Sequence, residues 1–180
     1  IGEWAFYKCS SLTTFYGKFA STDNRCLIVD GVLNSFAPAG LTEYTIPSSV
    51  ISIGDIAFYG CGSLTSITIP DGVTSINNST FALCRKLVSI TIPESVTDIG
   101  HNAFDCCLDL KLYINGNPTI GKNAFRYVCQ VIAPEIPFSV FETTDDRVAA
   151  ANGFLNNMSL YENSAIADEY KKYILKSKKK

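Results

Sequence analysis

The sequence predicts a solenoid of short parallel β-strands joined by helical, 3₁₀ or loop turns, followed by a small α-helical C-terminal segment. Three observations lead there: a pattern that returns about every 23 residues, an Ile-x-Ile-Pro unit inside it, and a change of composition near residue 134. A fixed period settles the architecture before local propensities matter, because each unit is too small to bury its own apolar face and must stack on its neighbours.

The period is read by aligning Ile53-Gly54-Asp55-Ile56-Ala57-Phe58 with Ile76 to Phe81, Ile99 to Phe104 and Ile120 to Phe125, whose starts lie 23, 23 and 21 residues apart. From each start, phenylalanine falls at plus five, cysteine at plus eight (Cys61, Cys84, Cys107) and leucine at plus eleven (Leu64, Leu87, Leu110). An Ile-x-Ile pair with proline follows in Ile67-Ile69-Pro70 and Ile90-Ile92-Pro93. Ile1 opens a further copy through Phe6, Cys9, Leu12 and Phe15.

The Ile-x-Ile unit reads as a strand with two inward positions, ended by a proline that cannot continue the ladder. The Ile-Gly-x-x-Ala-Phe-x-x-Cys stretch spaces its apolar groups by three or four residues, which predicts a single helical or 3₁₀ turn. Stacking aligns like positions into ladders of Phe, Leu, Ile and Cys, and each large buried side chain contributes ~1.5 to 3 kcal/mol.

Between Leu12 and Ile53 the pattern degenerates without vanishing. Leu41 to Pro47 matches the second half of a repeat whose start would be residue 30, and Cys26 to Val29 and Val32 to Asn34 flank Asp30-Gly31. That dipeptide suits a type I′ turn, where both central residues take positive φ, so a hairpin inserted in, or replacing, one repeat's usual loop is predicted. The solenoid is thus placed at residues 1–134, with this irregular repeat at about 16–41.

The string Ile92-Pro93-Glu94-Ser95-Val96-Thr97-Asp98-Ile99-Gly100, with Ala103, Phe104 and Cys107 completing it, resembles the BspA-type leucine-rich repeat. The resemblance extends over residues 1 to about 134, with departures at Thr80, at Val128 in the cysteine slot and at the shortened turn Asn115-Gly116-Asn117-Pro118. It implies a curved leucine-rich-repeat solenoid and a noncatalytic adhesion or protein-binding role on a bacterial cell surface or in secreted form. The implied ligand is a protein or glycan, such as host matrix or another microbial surface. An intracellular interaction scaffold and the noncatalytic repeat region of a larger enzyme are the alternatives.

From 135 to 180 the sequence predicts a helical cap or the start of a further domain. Asp145 or Asp146 caps a first helix with Val148, Ala151, Phe154 and Leu155 on one face, and Ser164 caps a second with Ile166, Tyr170, Tyr173 and Ile174 along a stripe. A cap covers the apolar end that the last repeat would otherwise expose.

Charge argues against nucleic acid as the partner. The net charge is -2, but six lysines fall in the last ten residues, which hold no acid, so the remainder carries -8, whereas a phosphate-binding surface needs clustered Lys and Arg. No apolar run approaches the ~18 to 20 residues of a membrane span. The lysine tail is read as a solvated terminus or the start of an omitted domain.

Seven cysteines raise disulfide and metal chemistry, but Cys9, Cys61, Cys84 and Cys107 share one repeat position, which makes them a buried ladder rather than a tetrahedral cluster. Cys26, Cys106 and Cys129 remain unassigned. His101, the one histidine, sits at a solvent-facing x position, poorly placed for a Cys-His dyad. Asp71 and Glu94 recur after proline and read as solvated turns rather than a calcium ladder. No nucleotide cradle or nucleophile elbow is present, so no cofactor, metal or catalytic residue is expected. The candidate ligand surface is the outward side of the strand ladder, comprising Thr14 and Tyr16, Glu43 and Thr45, Ser66 and Thr68, Ser89 and Thr91, and Lys111 and Tyr113, with the Asp30-Gly31 hairpin as the second candidate.

Overall fold

In the computed structural model, which describes residues 5–7, 9–161 and 164–177, each regular repeat makes two strands rather than one. The first is the Ile-x-Ile unit, giving β3 (Glu43–Thr45), β5 (Ser66–Thr68), β7 (Ser89–Ile92), β9 (Lys111–Ile114) and β11 (Gln130–Ile132). They form a parallel sheet in the order β11-β9-β7-β5-β3. Its inward residues Ile67, Ile90, Leu112 and Val131 are buried, and their neighbours on either side lie on the opposite face, as alternation along a strand requires, with Ile132 on that face buried as well.

The second strand lies at the head of the next copy: β4 (Ser52–Ile53), β6 (Ser75–Ile76), β8 (Asp98–Ile99) and β10 (Thr119–Ile120). These join β1 (Cys26–Val29) and β2 (Val32–Phe36) in a six-stranded sheet. Asp30 (φ 50°) and Gly31 (φ 77°) turn β1 antiparallel onto β2, and β2 then runs parallel to β4 with Leu33 beside Ile53. Leu33, not residue 30, therefore occupies the repeat's first apolar slot. Phe36 takes the phenylalanine slot, its ring 4.7 Å from that of Phe58.

The Ile-Gly-x-x-Ala-Phe-x-x-Cys stretch is not helical. Ile56, Ser79, Asn102 and Asn123 have φ between 52° and 58°, and Gly60, Leu83, Cys106 and Tyr127 are also left-handed; two such residues per copy interrupt any helix. Alternate amides instead bond within the copy and to the next one. Ala57 N donates to Gly54 O and Cys61 N to Phe58 O, while Phe58 N donates to Thr80 O at 3.0 Å and Phe81 N to Ala103 O at 2.8 Å. The turn is in effect a third ladder between repeats, which satisfies backbone groups that burial would otherwise strand.

Inside, Phe58, Phe81, Phe104 and Phe125 stack with centroids 5.1, 5.2 and 6.2 Å apart. Cys61, Cys84 and Cys107 form the adjoining ladder, the thiols of Cys84 and Cys107 donating to the carbonyls of Phe58 and Phe81, each at 3.1 Å. Cys9 does not belong to it: it is exposed, because the first copy leaves the stack at the hairpin and its Phe15 packs instead with Leu27 and Ala37. Ile1, the start read for that copy, and Lys178 to Lys180 of the tail lie outside the described residues.

At the other end, α1 (Thr144–Asn156) lies flat on β11, and α2 (Ser164–Ser177) packs beside it. The cap of α1 is Thr143, whose hydroxyl accepts from Asp146 N and donates to Asp146 Oδ2, rather than Asp145 or Asp146. Its buried face is built of Ala149, Ala150, Ala151, Gly153 and Phe154, while Val148 and Leu155 are about half exposed (47% and 48%). Contact this close needs small residues: a Cβ on Gly153 would fall 1.8 Å from the Val131 carbonyl. On α2, Tyr170 is buried, and Ile166, Tyr173 and Ile174 pack against the core. Ser164 opens α2, and the capping role read for it falls on a side chain outside the described residues.

Candidate ligand-binding trough

Because the strands of the β3 to β11 sheet pair in register, outward side chains fall into two rows along the stack. One row runs Glu43, Ser66, Ser89, Lys111, Gln130; the other runs through Thr45 and Thr68, then Thr91, Tyr113 and Ile132. Neighbouring strands stand ~4.8 Å apart, so hydroxyls recur at that spacing.

Over this face lies an open trough of ≈ 1070 Å³ floored by Ser66, Thr68, Ser89 and Thr91. One lip is formed by the turns that follow the strands and carries Asp71, Glu94 and Glu135. Glu43, Thr45, Lys111 and Tyr113 share the sheet face but lie outside the trough's lining. Thr14 and Tyr16 belong to neither sheet, and Tyr16 is 82% exposed, for the reason that removed Cys9 from the stack.

The hydroxyls of the repeat divide into two kinds. Thr65, Thr74, Thr97 and Thr119 donate to carbonyls of the preceding copy, namely those of Thr42, Ile51, Thr74 and Thr97. Those hydroxyls hold the stack together. The hydroxyls of Ser66, Thr68, Ser89 and Thr91 have no protein partner among the described residues and point into the trough, available to a ligand.

The residues weighed for chemistry have structural roles. His101 follows Asp55 and Asn78 in a row of acceptors, each taking the amide of the next copy: Asn78 N to Asp55 Oδ1 at 2.7 Å, His101 N to Asn78 Oδ1 at 2.9 Å, and Lys122 N to His101 Nδ1 at 2.8 Å. Burial pushes the Cys61 thiol up to about 12 and those of Cys84 and Cys107 well above the ordinary value, the opposite of nucleophile activation. Cys26 is likewise raised to about 12 by burial, against the Tyr44 hydroxyl 3.1 Å away. Tyr44 in turn donates to Asp23 at 3.0 Å. Burial opposes the Asp23 charge, but hydrogen bonds from Ser21, the Arg25 amide and Tyr44 outweigh it and hold the carboxyl below its usual range. Among the described residues no three His, Cys, Asp or Glu side chains are grouped to hold a metal ion.

A solenoid of this period, with Phe and Cys ladders buried behind an open strand face, is a repeat architecture consistent with a protein-interaction module. The profile described as "BspA type Leucine rich repeat region (6 copies)" matches residues 33–148, beginning at the Leu33 slot. The chain therefore belongs to the BspA-type leucine-rich-repeat family, whose repeats are generally noncatalytic and serve protein interaction. It is similar to the crystal structure of a Treponema pallidum leucine-rich-repeat protein, at 30% identity and a TM-score of 0.51, over 66% of this chain and 67% of that one. It is also similar to leucine-rich-repeat proteins of Bacteroides ovatus (26% identity, TM-score 0.41, 69% of this chain, 40% of that one) and Eubacterium ventriosum (17%, 0.48, 74% and 46%). The chain thus spans less than half the length of these last two. No curated protein sequence matches it.

Proposed function

We propose that this chain is a noncatalytic adhesion or recognition module of a cell-surface or secreted bacterial protein, binding a protein or glycan in the trough on its strand face. One observation supports the reading above the rest: the four trough hydroxyls converge on one open face and have no partner among the described residues, while Thr65, Thr74, Thr97 and Thr119 donate theirs to carbonyls of the preceding copy. Neutral donors and acceptors at ~4.8 Å intervals suit an extended ligand that meets several copies in turn. The trough is open rather than enclosed, unlike the clefts that bury most of a small molecule's surface. No described helix is long and apolar enough to cross a membrane.

The test is a screen of matrix proteins, glycans and microbial surfaces, repeated with Ser66, Thr68, Ser89 and Thr91 all changed to lysine after circular dichroism has confirmed the fold. Loss of a ligand found with the parent chain supports the trough. Unchanged affinity overturns it and turns attention to the Asp30-Gly31 hairpin.

A further inference from the structure

The lip of the trough has a feature that folding does not account for. Register places Asp71, Glu94, Gly116 and Glu135 at the same position of successive copies, two residues beyond Ile69, Ile92, Ile114 and Ala133. Asp71 and Glu94 are thus about one strand spacing apart, ~4.8 Å, and Glu94 and Glu135 about two, with Gly116 leaving a gap between them. All three acids are exposed and line the trough. Like charges at adjacent register positions cost stability, and none of these three has a hydrogen-bond or ion-pair partner among the described residues.

Several acids elsewhere in the body have structural work. Asp55 accepts a backbone amide, Asp98 accepts from Thr97 and Thr119, Asp105 pairs with Arg126, and Asp146 caps the last repeat. Among the described residues the three lip acids form an unneutralised row beside hydroxyls that also lack partners.

Accepting the trough as the ligand surface, we infer that its ligand is a cationic, extended peptide segment whose lysine or arginine side chains lie along Asp71, Glu94 and Glu135 while its backbone meets Ser66, Thr68, Ser89 and Thr91. Ammonium and guanidinium groups are donors only and complement a row of acceptors, and the hydroxyls serve both N–H and C=O of a peptide. An extended peptide running along the stack sets alternate side chains ~6.7 Å apart, between the one-strand and two-strand spacings of the carboxylates, and long flexible stems bridge the difference. A neutral glycan would use the floor and leave the acids unexplained.

The experiment uses the whole chain and a fluorescein-labelled peptide of alternating lysine and serine, about ten residues long, enough to cross five strands. Peptides with glutamine or glutamate in place of lysine, and cellohexaose as a neutral glycan, are run beside it. Three variants are compared: the lip change Asp71→Asn with Glu94→Gln and Glu135→Gln; a charge-matched control of Asp109→Asn, Glu142→Gln and Asp145→Asn; and the floor change Ser66→Val, Thr68→Ile, Ser89→Val and Thr91→Ile.

The lysine peptide should bind the parent best, weaken as salt rises from about 50 to 300 mM, lose about tenfold with the lip change as three exposed ion pairs are removed together, and lose under about twofold with the control. Equal loss in lip and control variants means generic attraction and overturns the inference, as does no binding of the lysine peptide. A glutamine peptide or cellohexaose bound as tightly, with the floor change abolishing it and the lip change harmless, overturns the cationic class but leaves the trough standing. Binding that survives both changes overturns the trough itself.

Discussion

Asp146 Oδ1 accepts a hydrogen bond from the amide of Phe125 at 2.8 Å, where each earlier phenylalanine of the ladder donates to a backbone carbonyl of the next copy, as Phe104 does to Ala124 at 2.8 Å. No repeat follows Phe125, so a side chain of the cap supplies the missing acceptor. The same substitution recurs around the last copy: Tyr161 Oη accepts from Ala133 N, and Asn152 Nδ2 donates to Cys129 O. The helices therefore end the solenoid by completing its ladders as well as by covering its apolar face.

This sets the first prediction. Asp146→Ala leaves the Phe125 amide buried without a partner and should cost ~1 to 3 kcal/mol. Asp146→Asn keeps an acceptor and should cost less. Burial raises the Asp146 carboxyl above its ordinary value, against the hydrogen bonds from Thr143 and Phe125, so the folded protein holds this proton more tightly than the unfolded one. The stabilisation linked to this proton is full below the unfolded value and is lost as pH rises through the folded one. Urea midpoints of the parent and of Asp146→Asn should therefore diverge in the parent's favour as pH falls through the carboxylate range. A gap independent of pH would show that the carboxyl is not perturbed as described.

Phe104 provides the second. It is fully buried between the rings of Phe81 and Phe125, 5.2 and 6.2 Å away, and the stacked copies on either side leave little room to collapse. Phe104→Ala should cost ~3 to 5 kcal/mol by transfer and cavity terms. Thermal unfolding checks this, and an unchanged midpoint would mean that the ladder does not carry the fold.

The Phe and Cys ladders were legible in the sequence because shape complementarity forces large residues to return at one period. The second sheet was not, since a two-residue strand such as Ser75–Ile76 is too short to show alternation. The turn was misread because its apolar spacing imitates a helix, whereas its left-handed residues run from Ile56 through Ser79 to Asn102 and Asn123 and so carry no constant residue type. Of the trough, the floor could be read from Ser-Ile-Thr strands. The lip could not be assembled, because Glu135 follows a strand that has lost the Ile-x-Ile-Pro spelling, and only register brings it into line with Asp71 and Glu94. Thr14 and Tyr16 were misplaced because the hairpin diverts the first copy, a long-range event that leaves no mark on their local pattern.

Thiol reactivity separates the residues that share the cysteine slot. Cys61, Cys84 and Cys107 are buried and raised, while Cys9 is exposed. A native titration with a chromogenic disulfide should release a fast phase from Cys9, slower reaction at the partly exposed Cys106 and Cys129, and nothing from the buried thiols until denaturant is added. Rapid native labelling of Cys84 or Cys107, located by peptide mapping, would contradict the register.

His101 allows a test of the acceptor row without touching the core. It is exposed, yet its Nδ1 receives the Lys122 amide at the position where Asp55 and Asn78 receive the corresponding amides of their own next copies. The row spans the close approach of successive turns, so tight that a Cβ on Gly100 would lie 2.6 Å from the Asn77 carbonyl carbon and one on Gly121 would lie 2.5 Å from that of Gly100. Water has limited room to replace a lost acceptor there. His101→Asn places the residue of the preceding copy in the slot and should leave stability within ~0.5 kcal/mol, the usual range for a surface change that keeps its contacts. His101→Leu keeps bulk but removes the acceptor, and should cost ~0.5 to 1.5 kcal/mol, the net worth of one hydrogen bond. Amide exchange gives the local readout: Lys122 N–H should remain protected in the asparagine variant and exchange faster in the leucine variant, with amides of the distant β3 to β5 pair unchanged. Equal protection of Lys122 in both variants would mean that the amide is held by the packing of the turns, and that the side-chain row is incidental to the stack.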